Sequence, residues 1–131
     1  MTSLRLNKVH HIAIICSDYD RSKAFYTEVL GLKVLSEVYR EERDSFKLDL
    51  ALSDNYIIEL FSFPNPPPRV SRPEALGLRH LAFEVSDIQK EWLKLKEMGV
   101  EAENIRRDEL TGKQFFFFAD PDGLPLELYE V

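Results

Sequence analysis

Two histidines and two glutamates recur in this 131-residue chain at nearly equal spacing. His11 and His80 are 69 positions apart, and Glu59 and Glu127 are 68 positions apart. Each half of the sequence therefore has one early histidine and one late glutamate. Imidazole nitrogens and carboxylate oxygens are natural ligands of divalent transition metals. If the four side chains converge, they form a site for one divalent ion, with Ni, Zn, Co, Mn and Fe as the candidates.

Taken singly, each of these residues has an ordinary structural explanation. A histidine in an apolar strand is more often a packed, hydrogen-bonded residue than a ligand, and a lone glutamate there most often faces solvent. The repetition favours the metal site, because four polar residues at equivalent places are hard to attribute to chance. His10 competes with His11 as the ligand. Its equivalent in the second half is Arg79, so we expect His10 to lie at the surface or behind the ligands.

The segments that carry these residues follow the same order in both halves. His11 lies in VHHIAI and is followed by SDYDRS, while His80 lies in LRHLAF and is followed by SDIQKE. The first apolar run predicts a strand buried on both faces, and the polar segment after it predicts a helix capped by aspartate. The elements predicted for the first half are a strand over 9–16, a helix from Asp18 or Asp20 to about 30, and strands over 33–39, 45–52 and 56–61.

The segment 62–78 is dense in proline, which excludes a helix or a central strand there. It is equally well interpreted as a plain linker or as a semi-rigid loop beside the site. The elements predicted after it are a strand over 80–85, a helix over 87–98 and strands near 102–107, 114–119 and 126–129. The fold class is therefore α+β with tandem β-α-β-β-β modules. One domain spans 1–131, with modules at about 7–62 and 79–131 and a prolyl connector at about 63–78.

Composition limits the function classes. A net charge of −6 argues against nucleic acid, whose phosphates require a basic face. Cys16 is the only cysteine, so no internal disulfide forms, and we expect it to be a buried structural thiol rather than a nucleophile. No apolar run approaches the roughly 20 residues of a membrane helix. The N-terminus is too polar for a signal peptide, and we expect a cytoplasmic protein.

Four segments carry a resemblance to a known family: HHIAIICSDYDRSKAFYTEVLGLKV, YIIELF, GLRHLAFEVSDI and FFADPDGLPLELYE. They resemble the vicinal oxygen chelate superfamily, which includes glyoxalase I, fosfomycin-resistance thiol transferases, methylmalonyl-CoA epimerase, extradiol dioxygenases and bleomycin-binding proteins. Within it, the order His, Glu, His, Glu is most similar to small bacterial glyoxalase I-like (lactoylglutathione lyase-like) proteins.

The resemblance implies curved half-barrel modules, often completed between the chains of a homodimer, with the metal on their concave faces. It also implies a lyase or isomerase acting on a small oxygen-chelating substrate through an enediolate-type intermediate. A ligand carboxylate, Glu59 or Glu127, moves the proton. The fourth ligand counts against a dioxygenase, which keeps three positions open. A thiol transferase, an epimerase and a non-catalytic small-molecule binding protein remain as alternatives.

The substrate side departs from the pattern of glutathione-using glyoxalases. Where those enzymes commonly have an Arg and an Asn that grip glutathione, this chain has Ile15 and Phe63. Dependence on glutathione is therefore doubtful, and another thiol or α-hydroxycarbonyl compound is an alternative. Five cations could meet an anionic substrate or simply be solvated: Arg43, Lys47, Arg69, Arg72 and Lys113. The aromatic run 115–118 predicts a strand buried on both faces, with two rings toward the cavity and two under the helices. A homodimer is expected to cover the apolar strand edges.

Overall fold

The computed structural model describes residues 2–131 and contains two four-stranded mixed sheets. The chain divides into two compact units, Met1–Pro66 and Pro67–Val131, with one sheet in each. Neither sheet closes into a barrel. Each unit has the order strand, helix, three strands. The predicted α+β class with tandem β-α-β-β-β modules is confirmed.

The first unit has its strands in the order β1-β4-β3-β2, with β1 parallel to β4 and the other pairs antiparallel. Its elements are β1 (Ile12–Cys16), α1 (Tyr19–Ala24), β2 (Lys33–Arg40), β3 (Ser45–Leu52) and β4 (Asn55–Ser62). Asp18 caps α1 by accepting a hydrogen bond from the Arg21 backbone at 3.1 Å. A π-helical segment, Phe25–Val29, extends the helix toward the predicted end.

The second unit repeats this arrangement in the order β5-β8-β7-β6, again with one parallel pair, β5 and β8. Its elements are β5 (Leu81–Val85), α2 (Ile88–Glu97), β6 (Arg106–Arg107), β7 (Gln114–Ala119) and β8 (Pro125–Glu130). Asp87 caps α2 as Asp18 caps α1, accepting from the Lys90 backbone at 3.1 Å. None of the described helices combines the length and apolar character that crossing a membrane requires.

Alternation along the inner strands separates a core face from a second face that carries the polar residues. In β4, Ile58 and Leu60 are fully buried, and Glu59 between them points to the opposite face. In β8, Leu126 and Leu128 are buried in the same way on either side of Glu127. The two glutamates are thus set at equivalent places by the same apolar pattern.

Three details of the sequence prediction were wrong. The first strand begins at Ile12 and is buried on one face only, since Ile15 is 55% exposed. In β7, Phe116 and Phe118 are buried, but the alternate rings are only partly covered. The strand predicted near 102–107 reduces to Arg106–Arg107 and an isolated bridge from Ala102. An apolar run indicates a strand without showing how many of its faces are covered.

β4 contains one residue more than β3 over part of their pairing. Leu50 pairs with Ile58 and Ala51 pairs with Tyr56, so Ile57 has no partner in the register. This β-bulge cancels one step of the alternation. Tyr56 therefore lies on the same face as Glu59, although the two are three positions apart.

Candidate functional site

His11 and Glu59 come together at the edge of the first sheet. His11 directly precedes β1, which runs parallel to β4 with Ala13 opposite Glu59. The Nε2 atom of His11 lies 3.4 Å from Oε2 of Glu59. A carboxylate this well covered needs partners, because a buried unpaired charge is costly. The side chains that pair with Glu59 therefore mark the polar face of this sheet.

Tyr56 and Lys47 supply those partners. The Tyr56 hydroxyl donates a hydrogen bond to Glu59 Oε2, and the Lys47 ammonium lies 3.7 Å from the same oxygen. Burial, followed by the hydrogen bond to Glu59, raises the pKa of Tyr56 well above its usual value, so the hydroxyl keeps its proton. The Tyr56 ring also stacks on His11, with centroids 5.3 Å apart. Tyr56 and Lys47 therefore stabilise the Glu59 carboxylate, and Tyr56 also fixes the orientation of the His11 ring.

Asp49 extends this polar cluster on β3, directly opposite Glu59. It accepts hydrogen bonds from Lys47 at 2.7 Å and Ser36 at 3.0 Å, and the Tyr56 hydroxyl lies 3.2 Å from it while its single proton goes to Glu59. Burial raises the pKa of Asp49, but the bonds from Lys47 and Ser36 outweigh burial and bring that pKa below its usual value. Lys47 is therefore bound between two carboxylates rather than free to meet a substrate.

His10 contacts the back of His11. Their Nδ1 atoms are 2.8 Å apart, a hydrogen bond in which one ring donates and the other accepts. With the proton on Nδ1 of His11, its Nε2 lone pair is free to bind a metal. The structure thus places His10 behind the predicted ligand, one of the two places that its sequence position predicted.

The second sheet brings His80 and Glu127 together in the same way. His80 directly precedes β5, and Ala82 of that strand lies opposite Glu127 of β8. Nε2 of His80 is 3.2 Å from Oε1 of Glu127. The Glu127 side chain is 13% exposed, against 14% for Glu59, so burial does not distinguish the two carboxylates.

The neighbours of this second pair are a ring and a guanidinium. Phe117, opposite Glu127 in the register, packs edge-on against His80 with centroids 5.0 Å apart. Nη1 of Arg79 lies 2.9 Å from Nδ1 of His80. Arginine only donates, so Nδ1 accepts and the neutral ring carries its proton on Nε2, facing Glu127. Sequence spacing gave no sign of this contact.

Each unit thus contributes one imidazole and one carboxylate, the donor types that divalent metals take. Within either unit, the described residues include no group of three or more His, Cys, Asp or Glu side chains placed to hold a metal ion. The four-ligand set therefore stays a prediction, supported by two pairs of matching geometry. Cys16 is buried, as predicted for a structural thiol.

The predicted substrate residues have differing surroundings in the first unit. Ile15 lies two residues after Ala13 on β1, on the face of Glu59, and is exposed. Phe63 stacks on Phe61 at 5.9 Å, and the Arg43 guanidinium lies 5.1 Å from its ring. Arg40, which sequence reasoning missed, lies 4.9 Å from the Phe61 ring. These residues form an aromatic and cationic surface beyond the polar cluster.

In the second unit, the predicted cations are mostly engaged. Arg69 donates to the carbonyls of Leu78 and Arg79 at 2.6 and 2.9 Å. Arg72 lies 3.9 Å from Glu74 and is largely exposed. Lys113 donates to the Val131 backbone oxygen at 2.6 Å rather than to either carboxylate of interest.

The chain is similar to known proteins over almost its whole length. A sequence model of the Glyoxalase/Bleomycin resistance protein/Dioxygenase superfamily matches residues 8–128. "Uncharacterized protein YwkD" of Bacillus subtilis is 64% identical over 125 residues, which cover 95% of this chain and 98% of that protein. "Uncharacterized protein YaeR" of Escherichia coli is 63% identical over 127 residues, covering 97% and 98%. The structure of a glyoxalase family protein from Enterococcus faecalis has a TM-score of 0.88 at 50% identity, covering 94% and 97%.

Two more distant relatives have names that state an activity. The 2-epi-5-epi-valiolone epimerase of an Actinomyces species is 29% identical over 145 residues, covering 94% of this chain and 79% of the epimerase. The structure of a trypanothione-dependent glyoxalase I from Leishmania major has a TM-score of 0.73 at 29% identity, covering 95% and 87%.

Proposed function

Because the chain belongs to the Glyoxalase/Bleomycin resistance protein/Dioxygenase superfamily, as its motifs predicted, we propose that it is a metal-dependent, glyoxalase I-like lyase or isomerase. Its substrate is a small compound with two neighbouring oxygens, converted through an enediolate-type intermediate. The observation that carries this proposal is the His–Glu pair found at the same register position in each sheet.

The donor set fits a divalent ion. Two ligands held at about 2.0–2.2 Å from one ion lie roughly 3.0–3.4 Å apart. The observed nitrogen-to-oxygen distances, 3.4 and 3.2 Å, match that spacing. The residues that would hold the ion are His11, Glu59, His80 and Glu127. When bound, the ion supplies electrophilic stabilisation of the negative charge that develops on the substrate oxygens.

The two carboxylates differ in the part each can take in proton transfer. Placing a proton on Oε2 of Glu59 displaces the hydrogen bond from Tyr56 and removes one of the two negative partners of Lys47. Glu127 has the His80 ring 3.2 Å away and an aromatic ring opposite it. We therefore assign proton transfer to Glu127 and anchoring of the site to Glu59.

The thiol specificity is proposed to differ from that of glutathione-using enzymes. Ile15 and Phe63 offer neither charge nor a hydrogen-bonding amide at the positions that grip glutathione in those enzymes. The similar Leishmania enzyme depends on trypanothione, so a different thiol has a precedent among relatives. We expect kcat/KM below about 10⁴ M⁻¹s⁻¹ for the glutathione–methylglyoxal adduct.

Epimerisation is the second candidate, favoured by the similarity to an epimerase over 94% of this chain. Both reactions remove a proton from carbon beside an oxygen that carries the developing charge, and they differ in where a proton returns. The constitution of the product formed in deuterated solvent, together with the position of the label, distinguishes them. An isomerase yields a product with a shifted carbonyl, whereas an epimerase returns the starting constitution with label at the stereocentre.

A homodimer is part of the proposal. β2 is an edge strand of the first sheet, and every residue before its last is exposed. The large apolar side chains that it exposes are Val34, Leu35, Val38 and Tyr39. Association covers such an edge, which is otherwise prone to unwanted pairing. A sedimentation mass equal to one chain at all concentrations would contradict the dimer.

Metal analysis of protein purified without added metal tests the proposal directly. We expect about one divalent ion per site in the wild type. Glu59→Ala and His80→Ala should each lose most of it, since each removes a ligand. Glu97→Gln, which removes a carboxylate from the exposed face of α2, is the charge-matched control and should keep its metal. Equal metal content in wild type and Glu59→Ala would contradict the four-ligand site.

Activity is then screened with the same preparations. Each of the candidate metals is reconstituted separately, and turnover of small α-hydroxycarbonyl compounds and thiol adducts is followed with and without deuterated solvent. The proposal requires turnover that depends on metal and is lost in His80→Ala. Metal binding without turnover of any such compound would instead favour a binding protein.

A further inference from the structure

A cleft of about 390 Å³ lies wholly in the second unit, between the segment 69–75 and the sheet. Four arginines and two glutamates give it its charge, and we call it the arginine cleft. They are Arg69, Arg72, Arg79, Arg106, Glu74 and Glu103. In a chain whose net charge is −6, this lining has two more positive than negative groups. Such a local excess attracts small anions.

Each of the two glutamates forms a salt bridge with one of the four arginines. Glu74 lies 3.9 Å from Arg72, and Glu103 lies 2.9 Å from Arg106. Glu103 is also bound to the backbone N–H of Phe117 at 3.0 Å, so its position is fixed. Within the described part of the chain, no salt bridge joins a carboxylate to Arg69 or Arg79. Arg69 donates to the Ser71 hydroxyl and to two backbone carbonyls, and Arg79 donates to the His80 ring.

Hydrogen bonds and ring contacts hold the walls of the cleft in place. Arg69 ties the start of the segment to the carbonyls of Leu78 and Arg79, and Ser71 donates to the Gly123 carbonyl at 3.2 Å. The Arg106 guanidinium lies against the Phe115 and Phe117 rings at 4.9 and 5.6 Å. Stacking fixes the plane of a guanidinium while leaving N–H groups at its edge available to an anion.

The cleft also adjoins the candidate metal ligand of this unit. Phe117 lines it and contacts His80, and Arg79 lines it and bonds the same ring. A compound held near His80 can therefore extend into the cleft without crossing between units. Phe117 and Pro125 give it an apolar wall, so the fitting ligand has a short carbon chain ending in an anion.

We propose that the arginine cleft binds the anionic group, a carboxylate or a phosphate, of a small ligand. Insofar as that ligand is the substrate, the inference rests on the proposed function and names its class: an oxygen-chelating compound with an anionic end. Guanidinium groups suit both anions, because their paired N–H groups match two oxygens at once. The cleft supplies positive charge, which Ile15 does not offer at the position where glutathione-using glyoxalases commonly have an Arg.

The test uses metal-free protein of full length, so it does not depend on the metal site. Inorganic phosphate and malonate are titrated at constant ionic strength, and binding is followed by calorimetry and by amide chemical shifts. We expect saturable binding of at least one anion, with shifts at Phe117 and Gly123 and not along 45–62. Arg69→Gln with Arg79→Gln, which removes the two lining cations that have no carboxylate partner, should weaken it at least tenfold.

Arg107→Gln is the matched control. Arg107 neighbours Arg106 on β6 but binds the Gly112 carbonyl and does not line the cleft. Its removal costs one positive charge, against two in the double variant, and should leave affinity within about twofold. Equal affinity in the double variant and this control would overturn the inference, as would shifts in wild type that avoid the cleft.

The two proposals fail separately. Loss of metal binding with anion binding intact rejects the proposed function and keeps the cleft as an anion site. Metal-dependent turnover with no anion binding rejects the cleft and keeps the function. The relative affinities for phosphate and malonate identify which anion the cleft prefers, and either result supports it.

Discussion

Glu59 and Glu127 occupy equivalent positions in two sheets of the same order, yet their neighbours have opposite character. Asp49 lies opposite Glu59, whereas Phe117 lies opposite Glu127. Lys47 approaches Glu59, and the residue at the equivalent place in β7 is Phe115. The first module thus surrounds its carboxylate with hydrogen-bonding groups, and the second surrounds its carboxylate with rings.

The histidines differ in the same way. His10 can accept a hydrogen bond from the Nδ1–H of His11, which leaves the Nε2 lone pair of His11 available to a metal. Arg79 can only donate to His80, which places the ring proton on Nε2. The comparison teaches that duplicated ligands need not have duplicated roles. Under the proposed function, the surroundings of Glu59 suit the anchoring of an ion, and those of Glu127 suit proton transfer.

The sharpest way to break this comparison is to neutralise each glutamate in turn. Glu127→Gln should lower turnover about 10²–10⁴-fold, because it removes the group assigned to carry the proton while keeping a ligand oxygen. Glu59→Gln should lower it far less, about tenfold. Steady-state kinetics with metal content measured on the same samples decides the matter. Equal losses of turnover in the two variants would remove the distinction between anchoring and acting carboxylates.

The residues behind the histidines should give effects of opposite sign. His10→Ala should weaken metal binding about 10-fold or more, since partners of ligating histidines typically contribute 10–100-fold. Arg79→Ala should strengthen it or leave it unchanged, because it removes a donor that holds His80 in the tautomer unsuited to binding. Competition with a chromogenic chelator measures both. A weaker affinity in Arg79→Ala would show that the arginine supports the ligand instead.

Tyr56 offers a smaller test that belongs to the first module alone. Tyr56→Phe removes the hydroxyl that donates to Glu59 and keeps the ring that stacks on His11. A hydrogen bond to a charged group contributes about 1.5–3 kcal/mol, so metal affinity should fall about tenfold or more. The matched change in the first sheet is Tyr39→Phe, whose hydroxyl binds Asp44 at the exposed end of β2. It should leave metal affinity unchanged.

Much of this architecture was predictable from the sequence, because it depends on patterns that repeat. Apolar alternation placed both glutamates, and aspartate caps marked both helices. Tyr56 could not be predicted as a partner of Glu59. A regular strand puts residues three apart on opposite faces, and only the bulge at Ile57 brings them to one face. The contact of Arg79 with His80 could not be predicted either, because the match between the two halves shows only that position 79 lacks a metal-ligand side chain.

The smallest expected effect is on the thermal stability of the protein in acid. It concerns Asp49, which belongs to the first module and has Phe117 at its equivalent place in the second. The folded-state pKa of Asp49 lies below its ordinary value of 3.8, so its contribution is present above that pH and is lost as pH falls through the folded pKa. Asp49→Asn should therefore lower Tm at neutral pH, and the deficit should shrink below pH 4. Asp54→Asn, in an exposed turn, should change Tm little at any pH. A deficit for Asp49→Asn that is constant with pH would contradict this assignment.

The extra residue in β4 also bears on which insertions and deletions the strand can tolerate. Removing Ile57 would make the pairing with β3 regular while leaving Tyr56 opposite Ala51 and beside Glu59. The second module already has that shorter form, in which Ala119 pairs directly with Pro125. Removing Ile58 or Leu60 instead would take a buried side chain out of the core. Length change in this strand is therefore expected to be permitted at one codon and harmful at its neighbours.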